Sequence, residues 1–300
     1  NLILALKMKS KHLTPSSNKS KTSSSYLDYA ASTPVAPEVL RVMTPYFKEK
    51  FGNPGSIHTF GQAAQAGLDN SRETIANALG AKFSEVIFTS SATEANNLVL
   101  RGVIKATDIP NPQIIVSAIE HESVIDTAKD LEKDGVEVIY LPVDKNGFIN
   151  TETLKNNLTE NTILVSIIYA SNEIGTIQPI TEIAKIVKNF REELGSNSKF
   201  HPPAGGPNSS FPLFHTDAVQ AFQFLNCDVN ELGTDLMTIS SQKIYGPKGA
   251  GALFIKWQGL VNKQQVHKKN NSSNANASII HNSKFFIPIM TGGGQEYDLR

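Results

Sequence analysis

Three hundred residues leave room for one large domain or two ordinary ones, and a hydrophobic fraction of 40% is enough for a sizeable core. The 28 basic side chains balance 28 acidic ones, and no basic stripe with interleaved aromatics stands out, so nucleic acid is not an expected partner. No apolar run approaches the roughly 20 residues of a membrane span, and the single cysteine, Cys227, has no mate for an internal disulfide, which fits a reducing, cytoplasmic setting.

Residues 1–25 read as a disordered extension. Asn1–Leu6 is apolar but too short for a signal segment. Lys7–Ser25 is rich in lysine and serine, without the arginines and amphipathic period of a transit peptide. The sequence opens on Asn1, and Met8 stands as a candidate start.

From Tyr26 the texture changes. A helix pattern runs from Pro37 to about Phe51, the cluster Gly52-Asn53-Pro54-Gly55-Ser56 marks a turn, and a long helix pattern covers Thr59–Leu79. The chain then alternates. Strand Val86–Phe88 precedes a helix to about Lys105. Strand Ile114–Ser117 precedes a helix to about Lys133. Strand Glu137–Leu141 precedes a short helix over 151–158, and the apolar strand Thr162–Ile168 precedes a helix from about Thr181 to Leu194. Strands follow at Leu213–Thr216, Leu236–Ile239 and Ala252–Ile255. Polar stretches at 196–212 and 259–284 read as surface insertions, because loops of that length rarely sit inside a compact unit.

Such alternation predicts an α/β fold, a mostly parallel sheet with helices on both faces and ligands at the carboxyl ends of the strands. Six polar residues fall just past a predicted strand end: Thr93, His121, Asn172, Asp217, Gln220 and Lys243. Small residues from Thr89 to Ala92 leave backbone N–H groups free at a helix start, where a phosphate binds well; ordinary N-capping by Ser91 or Thr93 is the plainer reading. Lys243 sits between a strand and a turn built from Gly246, Pro247 and Gly249. A partly desolvated amine held there loses its proton more easily and can form a Schiff base with an aldehyde cofactor, although most lysines in such turns are simply solvated.

Eight stretches in this order resemble the cysteine desulfurases, pyridoxal-phosphate enzymes of the class V aminotransferase family. They are Tyr26–Ala31, Gly52-Asn53-Pro54, Thr93–Asn97, Glu120-His121, Asn172–Gly175, Asp217–Gln220, Lys243–Gly249 and Gly292–Glu296. The resemblance covers 26–300 as the large domain of an aminotransferase-like fold type I protein. It implies pyridoxal phosphate carried on Lys243, with His121 over the ring as a second catalytic residue, Asp217 at the pyridine nitrogen and Gln220 at the phenolic oxygen. Ala92, Thr93, Ser240 and Gln242 would hold the phosphate, and Asn172 would face the cofactor or the substrate carboxylate. The implied reaction takes sulfur from L-cysteine as an enzyme persulfide and releases L-alanine. A homodimer would pass the sulfur to an acceptor protein, either an iron–sulfur scaffold or a tRNA-thiolation relay. A selenocysteine lyase, another class V enzyme or a non-catalytic remnant of the fold are the alternatives.

Three departures from the family pattern matter. Gln242 stands where a histidine usually precedes the lysine, which removes a positive charge near the phosphate. Ser91 replaces a usual glycine, a mild change if its φ is negative. The sequence stops at Arg300, before the family's small C-terminal domain with its catalytic cysteine, so this chain is expected to lack that region. Cys227 does not match the nucleophile and reads as structural, and Lys248 reads as a surface turn residue.

Overall fold

The computed structural model describes residues 24–196, 211–256, 286–292 and 295–299. Most of the 1–25 extension and of the insertions at 196–212 and 259–284 lies outside the described residues. The described residues hold seven strands: β1 (Val86–Thr89), β2 (Gln113–Ser117), β3 (Glu137–Leu141), β4 (Thr162–Ser166), β5 (Leu213–Asp217), β6 (Leu236–Ser240) and β7 (Gly251–Ile255). They form one sheet in the order β1-β7-β6-β5-β4-β2-β3. Pairing is parallel from β3 across to β6, while β7 runs antiparallel to both β6 and β1. The predicted mostly parallel sheet is therefore present, with one reversed strand that follows from the short turn between β6 and β7. Because β7 reverses the direction twice over, β1 points the same way as β2, β4, β5 and β6. Their carboxyl ends share one edge.

The central strands read as unbroken apolar runs because both faces are covered. One face packs Ile115, Val165, Phe214, Met237 and Phe254 against α2 (Thr59–Leu79), α5 (Thr151–Asn157) and α6 (Ile180–Ser196). The other packs Ile114, Val116, Leu164, Leu253 and Ile255 against α3 (Ala92–Ala106) and α4 (Glu122–Lys133). Helix α1 (Pro37–Lys48) opens on a proline, whose missing N–H costs nothing at a first turn. Helix α2 is capped by the His58 side chain and stops at Gly80, where φ is 64°. A short α7 (Val229–Leu232), capped by Asp228, was not expected from the sequence; four residues carry no readable period.

A buried ion pair fastens the far end of the chain to this frame. Both guanidinium nitrogens of Arg72 on α2 meet the Glu296 carboxylate at 2.8 Å, and the Phe88 N–H donates to the same carboxylate at 2.7 Å. Arg72 also donates to the Val86 carbonyl at 2.5 Å, so α2, β1 and Glu296 meet at one point. Glu296→Ala leaves Arg72 buried and unpaired and is expected to cost about 3–5 kcal/mol, measured by urea unfolding. A loss below about 1 kcal/mol would show that the pair does not hold this junction.

Candidate active site

The shared sheet edge assembles most of the polar residues picked out in the sequence. Asp217 is the last residue of β5, one position further than the predicted strand end, and is only 4% exposed. Its Oδ2 accepts from Asn96 Nδ2 at 2.8 Å and its Oδ1 from the Val219 N–H at 3.0 Å. Burial pushes its pKa up, while those two donors and the charges of His121 and Lys243 pull it down. The same electrostatics act on the amine: burial lowers the pKa of Lys243, and Asp28 and Asp217 oppose the shift. Desolvation is the effect that frees an amine for nucleophilic work.

Lys243 sits in a single 3-10 turn, Ser241–Lys243, directly after β6. An N-terminal arm crosses this turn and clamps it. Thr33 donates to the Gln242 carbonyl through its N–H (3.0 Å) and its hydroxyl (2.8 Å), and that hydroxyl accepts from the Tyr245 N–H at 2.8 Å. Tyr245 is held at φ 59°, a left-handed conformation that a bulky residue adopts only under constraint. Inside the clamp Lys243 Nζ donates to the carbonyls of Ala30 (2.5 Å) and Ala31 (2.7 Å), and Gln220 donates to Ala30 at 3.0 Å. Lys248 does lie on the exposed turn, but its amine is spent on the Thr33 carbonyl at 2.7 Å. The two lysines therefore have different jobs, one in the cluster and one in the clamp.

Past β1, Ser91 caps α3 by accepting from the Glu94 N–H at 3.1 Å. Its φ of −167° is extended backbone open to any residue, so serine replaces glycine there without strain. The Ala92 and Thr93 amides precede the first intrahelical bond, Ala95 N–H to Ser91 O, and face out of the helix end. Glu94 folds back to accept from the Ser90 N–H and hydroxyl. Past β2, His121 caps α4, its Nδ1 accepting from the Ser123 N–H at 3.0 Å. Ser240 ends β6, buried. The side chain of Asn172 bonds its neighbour Glu173 at 2.9 Å, and Gln242 joins the network through its backbone carbonyl.

Sequence reasoning gave no role to three buried polar groups beneath this edge. Asn96 lies at helical spacing from Val99, Leu100 and Val103 on the apolar face of α3, and that misplaced amide was the available signal. Glu120, 8% exposed, accepts at Oε1 from Ser117 Oγ (2.6 Å) and from the Ile168 N–H (2.5 Å), tying β2 to the chain beyond β4. Its Oε2 has no hydrogen-bond partner among the described residues, and burial raises its pKa to about 8. His215, on the same face of β5 as Asp217, is held by Ser166 (2.8 Å) and Thr238 (3.1 Å), and burial pushes its pKa down to about 3.

The donor set fits a phosphorylated pyridine aldehyde. It offers an amine fixed at a strand end, a buried carboxylate, outward-facing amides at a fifteen-residue helix and hydroxyls at Thr93 and Ser240. The chain belongs to the class V aminotransferase family, which it matches over residues 25–194 and 210–282, and pyridoxal phosphate is that family's cofactor. It is 47% identical over 231 residues to cysteine desulfurase IscS of Dictyoglomus turgidum, across 77% of this chain and 54% of the relative. It is 39% identical over 278 residues to a mitosomal cysteine desulfurase of Trachipleistophora hominis, across 92% and 53%. Solved structures of similar shape include a NifS-like protein (TM-score 0.74, 34% identity, 91% of this chain and 63% of that one) and SspA in complex with cysteine (0.73, 34%, 92% and 67%). The chain spans about half the length of the curated relatives it matches. None of its described helices is long and apolar enough to cross a membrane.

The buried titratable pair predicts a domed stability profile. His215 binds its proton at about pH 3 folded against 6.5 unfolded, so stability falls as pH drops through that window. Glu120 releases its proton near pH 8 folded against 4.5 unfolded, so stability falls as pH rises from 4.5 towards 8, and Asp217 adds in the same direction. Glu120→Gln is expected to make this alkaline limb shallower by about 1.4 kcal/mol per pH unit in denaturant titrations at successive pH values. An unchanged limb would show that Glu120 does not hold its proton in the folded state.

Proposed function

We propose that this sequence forms the cofactor-binding domain, residues 26–300, of a cysteine desulfurase. The observation that carries the reading is the grouping of Lys243, Asp217 and His121 at one sheet edge, in a chain 47% identical to a cysteine desulfurase. Pyridoxal phosphate, when bound, supplies the electron sink for amino-acid chemistry at Cα. Lys243 is the residue that would attach it and move the proton at the substrate Cα. Asp217 would keep the pyridine nitrogen protonated, since a cation beside it also favours its own ionised form. Gln220 would donate to the phenolic oxygen and His121 would cover the ring. The amides of Ala92 and Thr93, with the hydroxyls of Thr93 and Ser240 and the Gln242 amide, would hold the phosphate. Asn172 would meet the substrate side.

The substrate is L-cysteine, with L-alanine and a protein persulfide as products, and the sulfur goes to an iron–sulfur scaffold or a tRNA-thiolation relay in a reducing, cytoplasmic setting. A homodimer is supported by apolar side chains exposed along one segment: Leu27, Phe47, Phe51, Ile57 and Phe60. Patches of that kind mark surfaces made to be covered.

Full-length protein carrying this sequence and loaded with pyridoxal phosphate is expected to turn L-cysteine into alanine, with Lys243→Ala slowing it at least about 10²-fold. Turnover confined to L-selenocysteine would make it a lyase, and no amino-acid turnover would make it a binding remnant. Borohydride reduction followed by peptide mapping is expected to fix the cofactor on Lys243; fixation on Lys248 would reverse the assignment.

The 300-residue chain by itself is not expected to form persulfide. Its one cysteine, Cys227, is buried in the core, and burial pushes the thiol up to about 12, which leaves almost no thiolate. Mass spectrometry after incubation with L-cysteine checks this, and persulfide on Cys227 would contradict it.

A further inference from the structure

We infer that Asn96 and Ser123 are positioning residues that lock His121 in one tautomer and join it to Asp217. This rests on the reading of His121 and Asp217 as the residues that flank the cofactor ring.

One chain of hydrogen bonds joins the four residues. Asn96 is fully buried, and its amide nitrogen reaches Asp217 Oδ2 and Ser123 Oγ, both at 2.8 Å. The Asn96 NH₂ donates one hydrogen to Asp217 Oδ2, and its second goes to Ser123 Oγ. Having accepted there, the Ser123 hydroxyl donates its own proton to His121 Nδ1 at 2.9 Å. The Ser123 backbone N–H, which can only donate, points at the same Nδ1 at 3.0 Å. Two donors on Nδ1 leave it unprotonated and place the neutral ring's proton on Nε2, the nitrogen turned away from Ser123. Every donor in this chain has one direction open to it.

The chain also explains an isolated amide within an apolar helix face. Asn96 Oδ1 has no partner among the described residues, a cost that a leucine at this position would avoid. The amide is retained for its two donors, one on each of the residues it joins.

The test reads the histidine directly, without cofactor or substrate. Ring 15N NMR of the full-length protein, at a pH where histidine is neutral and with His121 assigned by loss of its signals in His121→Gln, is expected to show the Nε2–H form alone. Asn96→Leu and Ser123→Ala are expected to give a mixture of the two tautomers, and Ser123→Thr to restore the single form. Ser123→Ala removes one side-chain hydroxyl, so it keeps the test informative if Asn96→Leu fails to fold. A purely structural role would lower the melting temperature of the variants without moving the tautomer ratio, and that result overturns the proposal. So does an Nδ1–H form in the unaltered protein. The readout stands whether or not the protein turns over L-cysteine, so failure of the sulfur-transfer reading would be seen separately.

Discussion

A carboxylate taken out of water must be compensated, and the site is arranged around that requirement at Asp217. Burial alone favours its neutral form, which could not hold a cation. Against this the fold sets two hydrogen-bond donors, from Asn96 and the Val219 N–H, and the nearby Lys243 amine. The neighbouring acid helps as well. Glu120 keeps its proton up to about pH 8, so at neutral pH it adds no second buried negative charge beside Asp217. Burial raises the pKa of both acids, and at Asp217 the donors and charges around it offset part of that rise.

The sheet makes this compensation possible. The helix dipole end at Ala92 follows β1, the cap at His121 follows β2, the carboxylate of Asp217 ends β5, and the lysine turn follows β6. The reversed β7 closes that turn tightly. Gly251 at its start comes so near that a Cβ there would lie 2.9 Å from the Ser91 carbonyl carbon. The N-terminal arm then crosses the turn through Thr33 and supplies the carbonyls that Lys243 meets. Rigid strands, one tight turn and one clamp fix groups that lie more than 200 residues apart in sequence.

Much of this was legible in the amino-acid sequence. The strands and long helices fall within a few residues of where periodicity places them, because buried parallel strands are unmistakable apolar runs. The candidate site residues stand out as polar exceptions at strand ends, and the motif order points to the family. What could not be read was the lower tier. Asn96 looks like one of two equivalent asparagines, Asn96-Asn97, until the helix turns one inward and the other out. Glu120 was seen only as part of a motif, since its burial depends on Ile168, 48 residues away. The carbonyls of Ala30 and Ala31 left no trace at all, as backbone groups have no sequence signature.

The central proposal is that Asp217 would pair with a positive charge on the cofactor ring, whose presence would favour the ionised carboxylate. Nitrogen NMR of the full-length protein loaded with ring-15N pyridoxal phosphate measures that charge. A protonated pyridine nitrogen near pH 7 that becomes unprotonated in Asp217→Asn is the predicted result. The same ring-nitrogen shift in both proteins would contradict the account.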